Sequence, residues 1–213
     1  MTAMGVLAAI AFGVSALELL VVRRAYAATF GRGVTALALL QLAAAATLWL
    51  DAPEPAIAAF VATLAIAYRS RGSYNGGSDS MLLVVALGLA IARLGSPRVG
   101  YGYIALQLAL SYVLAGVAKL RDRGWRAGTA LPLIVALPHY GVPPRLASLL
   151  ARARLAGYAM LAFELTFPLA FVAPRPYAVV AIAFHLANAA SFGLNRFLWA
   201  WLAAWPAVFY FAG

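Results

Sequence analysis

Long apolar runs alternate with short polar, glycine-rich or proline-rich segments along the whole chain. A helix needs about 20 apolar residues, with a range of about 17–25, to cross the hydrocarbon core of a bilayer. We therefore interpret the runs as about eight membrane-spanning helices, which predicts an all-α, polytopic membrane helix bundle. The predicted helices cover Ala3–Val22, Gly33–Leu50, Ala56–Tyr68, Ser80–Leu94, Tyr101–Leu120, Leu155–Ala173, Tyr177–Phe192 and Phe197–Ala212.

Two segments between the fifth and sixth runs differ from the rest. Gly128–Leu137 is too short to span and is interrupted by Pro132, which favours a short re-entrant or interfacial segment. Pro143–Arg154 is basic and amphipathic, a pattern typical of a helix lying on a membrane surface. The chain shows no internal repeat and no second domain, so we predict a single transmembrane domain over residues 1–213.

Composition supports a membrane protein. The 213 residues are 65% hydrophobic and only 10% charged, whereas soluble domains carry about 25% charged residues. The net charge of +10 comes from arginines scattered through short loops, which follows the positive-inside rule and argues against a nucleic-acid partner. Cysteine is absent, which excludes disulfides and thiolate chemistry, and no dense metal-ligand spacing occurs, so we expect no metal.

The basic residues also predict an orientation. Loops after the odd-numbered helices carry 13 of the 16 lysines and arginines, which places those loops in the cytoplasm and both termini outside it. The expected location is the inner membrane of a bacterium, with the lipid bilayer as the surrounding partner.

Lys119 is the only lysine among 16 basic residues. A buried lysine can lose its proton and act as a base, whereas arginine cannot. On a helix, Tyr112, Ala115, Gly116 and Lys119 form one stripe, and its small residues would allow close approach of a backbone or a flat ligand. The alternative is that Lys119 ends a membrane helix and extends to the lipid headgroups.

Ionisable residues within apolar runs are costly and often mark function. Glu164 and His185 lie in the middle of predicted helices, with Asn188 on the same face as His185. Alternatively, Glu164 is a protonated or arginine-paired packing group, and His185 is a neutral ring bonded to a carbonyl. Glu18 lies near an interface, and Gln41 and Gln107 are neutral companions.

The connection Asn75-Gly-Gly-Ser-Asp79 has two interpretations. Ser78 or Asp79 could cap the fourth helix. The glycines could instead let the backbone fold over a pocket, with Asn75 offering its amide to a ligand.

The lysine lies in the segment Tyr112-Val-Leu-Ala-Gly-Val-Ala-Lys-Leu120, which is followed by Trp125 and by Gly128-Thr-Ala. This segment resembles the lysine-bearing helix of vitamin K-dependent gamma-glutamyl carboxylase and its bacterial relatives. These proteins share the HTTM domain. The resemblance covers about residues 10–210. Supporting matches are Asn75–Asp79, Gln107, Glu164 followed by Phe167-Pro168, and Phe184-His185.

The resemblance implies a reaction. Lys119 matches a lysine whose free amine deprotonates vitamin K hydroquinone; oxygen addition then generates the base that abstracts a glutamate γ-proton before carbon dioxide adds. His185 falls where the family has a histidine. Glu164 is the third catalytic candidate, beside Lys119 and His185. The cofactor implied is a reduced, vitamin K-like quinone. The candidate pocket residues are Asn75, Asp79, Gln107, Tyr112, Gly116, Trp125 and Asn188.

The chain also departs from the carboxylases. Gly76 stands where the family's polar pair has a histidine, and the large soluble region that handles the protein substrate is missing. The sequence therefore leaves three readings open: a carboxylase-like or oxygenase-like quinol-dependent enzyme, a non-catalytic accessory factor for maturation or export of a peptide, and a DoxX-like quinone-associated subunit. A peptide or protein partner belongs to the second reading. A small carrier or channel ranks below them.

Overall fold

A computed structural model describes residues 3–30, 33–70, 76–137, 142–145, 148 and 154–212, and within these ranges the fold is all-α. The helices are α1 (Ala3–Phe30), α2 (Gly33–Thr47), α3 (Pro53–Ser70), α4 (Gly77–Arg93), α5 (Pro97–Arg121), α6 (Arg123–Arg126), α7 (Ala130–Val135), α8 (Arg154–Leu165), α9 (Pro174–Phe192) and α10 (Asn195–Ala212), with a 3₁₀ helix at Phe167–Phe171. The predicted all-α class is confirmed.

The chain folds into two compact units. The first comprises Met1–Leu108 with Trp199–Phe211 and Gly213, and the second comprises Ala109–Leu198 with Ala212. Helices α5 and α10 contribute residues to both. The single domain over residues 1–213 stays a prediction.

In the first unit, α1 packs against α2, α2 against α3, and α3 against α4. One core cluster is formed by Leu19, Val34, Ala38 and Ile66. Helices α4 and α5 approach so closely that a Cβ atom at Gly100 would overlap the backbone of Gly88. Glycine is required there because a larger residue would separate the two helices.

In the second unit, short elements connect α5 to α8. Asp122 begins α6 by accepting a hydrogen bond from the backbone N–H of Trp125 at 3.0 Å, the usual role of a helix-capping carboxylate. Helix α9 ends at Phe192, and Gly193 follows with a left-handed φ of 68°. Glycine adopts this conformation without strain, so the chain turns into α10 within two residues.

The predicted sixth helix, Leu155–Ala173, is wrong as one continuous α-helix. Helix α8 ends at Leu165, and the chain continues as a 3₁₀ helix from Phe167. Pro168 explains the break because proline lacks a backbone N–H and disfavours the α conformation in the residue before it.

Other helix ends also differ from the predicted ones. Helix α1 continues past the predicted end at Val22 through Arg23 and Arg24, since arginine is a good helix former. Helix α3 begins at Pro53, three residues before the predicted start at Ala56, because proline is well suited to the first turn of a helix.

Among the described residues, two helices are long and apolar enough to cross a membrane: Ala3–Arg24 within α1, and Pro97–Arg121. The eight-span topology therefore stays a prediction. The predicted re-entrant region contains the six-residue α7, which is too short to span.

Candidate functional site

A buried ion pair joins two helices of the second unit. Lys119, near the end of α5, donates to both carboxylate oxygens of Glu164 on α8, at 2.6 and 2.8 Å. The Glu164 side chain is 3% exposed and that of Lys119 is 21% exposed. Glu164 thus pairs with the lysine rather than with an arginine, and Lys119 turns inward instead of only extending to a membrane surface.

Gly116 allows this ion pair to form. A Cβ atom at Gly116 would lie 3.1 Å from the Cβ of Glu164 and from the side chain of Leu165. Residue 116 is one helical turn before Lys119, so the missing side chain lets α8 approach α5 where the two charged groups meet. The expected close approach at this small residue is present.

Trp125 lies beside the ammonium group. The Nζ atom of Lys119 is 5.4 Å from the centre of the Trp125 ring, within the distance at which an aromatic face attracts a cation. The Asp122 cap fixes the start of α6 and thereby positions the indole next to the ion pair.

A cavity of about 300 Å³ adjoins these groups. Its polar lining residues are Lys119, Glu164 and Asn188, and the remaining lining residues are apolar or aromatic: Ala115, Trp125, Leu131, Ile134, Met160, Phe184, Phe192, Leu194 and Phe197. An apolar cavity with a few convergent polar groups is the usual form of a small-molecule site.

Tyr112 and His185 form a second buried polar pair. The Tyr112 hydroxyl lies 2.6 Å from Nε2 of His185, and His185 is fully buried. The Tyr112 ring stacks on Phe167 with ring centres 4.1 Å apart. The rings of Phe184 and Phe197 lie 5.0 and 4.9 Å from the imidazole, and both residues also line the cavity, whereas His185 is not among its lining residues.

The structure therefore brings Lys119, Trp125, Glu164 and Asn188 together around one cavity. Gly116 packs against Glu164, and Tyr112 and His185 form a neighbouring pair in contact with rings that line the cavity. Two further predicted pocket residues, Asp79 and Gln107, belong to the first unit. Asn75 lies outside the described residues, as does His139, which the sequence places in a loop.

The predicted side-chain cap of α4 is wrong. Gly76 occupies the capping position and the helix has no side-chain cap hydrogen bond, so Ser78 and Asp79 lie inside the first turn. Glycine is tolerated as a helix N-cap, and a carboxylate in the first turn still interacts favourably with the helix dipole.

Sequence reasoning missed the apolar wall of the cavity. Leu131, Met160, Phe192, Leu194 and Phe197 line it. In a chain whose helices are apolar on most faces, hydrophobic periodicity does not separate residues that line a cavity from residues that pack or face lipid.

The fold and the site define an all-α protein with an apolar cavity and a buried lysine–glutamate pair. The HTTM domain family model matches residues 90–212, more than half of the chain, so the chain belongs to the HTTM family. This membrane-associated domain is linked to the transmembrane region of vitamin K-dependent carboxylase. The match includes every residue that forms the cavity. No curated protein and no solved structure matches the chain.

Proposed function

We propose that the cavity binds a reduced quinone or a similar aromatic alcohol, and that the Lys119–Glu164 pair accepts a proton from its hydroxyl group. The supporting observation is the buried pair at the wall of an apolar cavity of about 300 Å³. A cavity of this size lies at the lower end of the range for small-molecule sites. The protein would hold this ligand within a bacterial inner membrane.

The pair can supply a base without leaving an isolated charge. When the proton shared by the two groups moves from the Lys119 ammonium to the Glu164 carboxylate, the products are a neutral amine and a neutral carboxylic acid. The amine then takes the hydroxyl proton of the ligand, which leaves an ammonium group beside the new oxyanion. Each stage keeps opposite charges together, as a low-dielectric site requires.

Neighbouring residues have supporting roles in this proposal. The Trp125 ring stabilises the ammonium form after proton transfer, and Gly116 sets the separation of α5 and α8. His185 acts as a positioning residue: its hydrogen bond to Tyr112 fixes an imidazole that packs against Phe184 and Phe197. The ligand would contact those two rings rather than the imidazole itself.

The family resemblance supports a carboxylase-like or oxygenase-like use of the deprotonated ligand. An accessory factor or a DoxX-like subunit would use the same cavity to hold a ligand without moving a proton. The decisive experiment therefore separates binding from proton transfer.

The test is native mass spectrometry with lipid extraction on the purified chain, comparing wild type, Lys119→Met and Lys119→Arg. We expect a copurifying quinone in wild type and its loss in Lys119→Met. Lys119→Arg, which keeps the charge but cannot deprotonate, should bind quinol yet fail to form the deprotonated quinol, which is followed by its ultraviolet absorbance under argon. Arg121→Met removes an exposed cation from the same helix and is the matched control.

Two outcomes would contradict the proposal. Absence of quinone from all samples, together with failure of added quinol to bind, would refute the ligand. Full formation of the deprotonated quinol by Lys119→Arg would refute the base and leave a binding protein.

A further inference from the structure

Exposed arginines are concentrated where α5, α6 and α8 meet. Arg121 is the last residue of α5, Arg123 and Arg126 lie in α6, and Arg154 is the first residue of α8. All four are exposed, and all four belong to the second unit. Asp122 is the only acidic residue from the start of α5 to the end of α6, so this segment has a local excess of positive charge.

Arg126 holds the junction of α5 and α6 in one arrangement. Its guanidinium Nη1 donates to the backbone carbonyls of Leu120 and Arg121, both at 2.9 Å. Carbonyls in the last turn of a helix lack partners within the helix, so Arg126 supplies them. The Tyr158 hydroxyl donates to the carbonyl of Arg126 at 3.0 Å, which connects α6 to α8.

The Arg154 side chain lies against the same junction. A Cβ atom at Gly128, two residues after the end of α6, would lie 3.2 Å from Cγ of Arg154 and 3.3 Å from the Tyr158 hydroxyl. The aliphatic part of Arg154 thus packs on the turn that follows α6. The arginine of α8 is therefore near those of α5 and α6, although it is about 30 residues away in sequence.

Arg121, Arg123 and Arg154 have no internal counter-ion among the residues that the structure describes. The Asp122 carboxylate instead accepts the hydrogen bond that begins α6. We name Arg121, Arg123 and Arg154 the arginine face. Its guanidinium groups are available to an external anion, for which arginine has the matching donor geometry.

Apolar side chains accompany the arginine face. Leu120, which precedes Arg121, is 44% exposed, and Leu155, which follows Arg154, is 81% exposed. A soluble acidic partner would satisfy the arginines and leave these leucines in water. A phospholipid offers both a phosphate group and hydrocarbon, so the mixed surface favours lipid.

The length of α5 also favours lipid. Pro97–Arg121 is long and apolar enough to cross a membrane. Its 25 residues extend about 37 Å, more than the roughly 30 Å of a hydrocarbon core. The last turn of such a span, and α6 after it, would lie among lipid headgroups.

We propose that the arginine face binds the phosphate group of an anionic phospholipid, while Leu120 and Leu155 contact its acyl chains. Arg126 is a positioning residue, since its bonds to the end of α5 fix the junction that carries the other arginines. This proposal does not depend on the ligand of the cavity.

The test titrates the purified full chain in detergent micelles with phosphatidylglycerol or with phosphatidylcholine of the same acyl chains, and counts bound lipid by native mass spectrometry. Wild type should prefer phosphatidylglycerol. The triple variant Arg121→Gln/Arg123→Gln/Arg154→Gln should weaken that lipid on the order of a hundredfold, about fivefold for each arginine near an anionic surface. Binding of phosphatidylcholine should change by less than about twofold.

Arg98→Gln is the matched control, because Arg98 is an exposed arginine at the opposite end of α5. It should weaken phosphatidylglycerol by less than about twofold. Circular dichroism checks that each variant keeps its helices. As a measurement on wild type alone, raising the ionic strength should weaken phosphatidylglycerol and leave phosphatidylcholine unchanged.

Three results would overturn the proposal. The first is equal affinity of wild type for the two lipids at low ionic strength. The second is unchanged phosphatidylglycerol affinity in the folded triple variant. The third is tighter binding of a soluble polyglutamate peptide than of phosphatidylglycerol, lost in the same variant, which would assign the arginine face to an acidic protein partner.

Discussion

The two compact units place their buried polar groups in different surroundings. In the first, Gln41 donates to the hydroxyl of Thr63 at 2.9 Å, and Thr63 donates onward to the carbonyl of Ala59 at 2.7 Å. Arg93 donates to the backbone carbonyls of Leu48 and Ala52. In these contacts, side chains donate to neutral oxygen atoms. The hydrogen bonds from Gln41 and Arg93 connect different segments of the unit.

In the second unit, a charged pair and an aromatic–imidazole pair lie beside open volume. Lys119 meets Glu164, Tyr112 meets His185, and the cavity lies against the same helices. The hydrogen-bonded side chains of the first unit are explained by the segments that they connect, whereas an ion pair on a cavity wall is available to a ligand. The comparison places the candidate chemistry in the second unit, and three predictions test it.

The largest effect is expected at the ion pair. Glu164→Leu leaves the Lys119 ammonium without its carboxylate, and we expect it to lower the free energy of unfolding by about 3 kcal/mol, the lower end of the range for a broken buried pair because Lys119 keeps some exposure. Denaturant titration in detergent micelles, followed by circular dichroism, measures the change.

The double variant Lys119→Met/Glu164→Leu is the control for that loss. It replaces both charges with apolar groups and should recover most of the stability while remaining unable to release a proton from quinol. Strict additivity of the two single substitutions would show that the groups are not coupled.

A stability loss of intermediate size is expected where two helices pack closely at a glycine: α4 against α5 at Gly100, and α5 against α8 at Gly116. In the first unit, Gly100→Ala places a Cβ atom against the backbone of Gly88 and Ala92, and we expect a loss of about 1–3 kcal/mol, typical of overpacking. In the second unit, the Cβ atom of Gly116→Ala would lie 3.1 Å from the Cβ of Glu164 and from the Leu165 side chain, a milder overlap than the one at Gly100, so its stability loss should be smaller and its loss of quinol affinity larger.

Gly102→Ala is the control for these substitutions, because its Cβ would make only ordinary contact with Phe211 at 3.4 Å and alanine favours the helix. Thermal unfolding ranks the three variants. A larger stability loss at Gly116 than at Gly100 would contradict the proposed difference between the crossings.

The smallest effect is expected at the neutral pair of the first unit. Gln41→Leu removes one hydrogen bond and should cost about 1 kcal/mol in unfolding free energy, since Thr63 still donates to Ala59. Quinol binding should stay unchanged. A loss of binding as large as that of Lys119→Met would mean that the ligand site depends on this pair.

The sequence predicts the helices well because apolar runs and their breaks are local. It fails at Pro168, where a proline interrupts an otherwise continuous run and the chain changes helix type rather than turning. The third helix begins at Pro53 rather than at Ala56, in keeping with an apolar run that is short for a helix.

The site could be predicted only in part. The sequence indicates Lys119 as a site candidate because it is the only lysine in the chain. It indicates Gly116 because this glycine lies one helical turn before that lysine. The pairing of Lys119 with Glu164 spans 45 residues, and no local pattern indicates it. Asn188 was identified by its spacing from His185, although of the two only Asn188 lines the cavity.

The tight turn at Gly193 has a consequence for how this cavity can change in evolution. Phe192, Leu194 and Phe197 all line the cavity, and all lie within five residues of the left-handed glycine. One wall is thus built by a single reversal of the chain, remote in sequence from Lys119 and Glu164. Lengthening this turn by one residue would change the volume and outline of the cavity while leaving the Lys119–Glu164 pair in place.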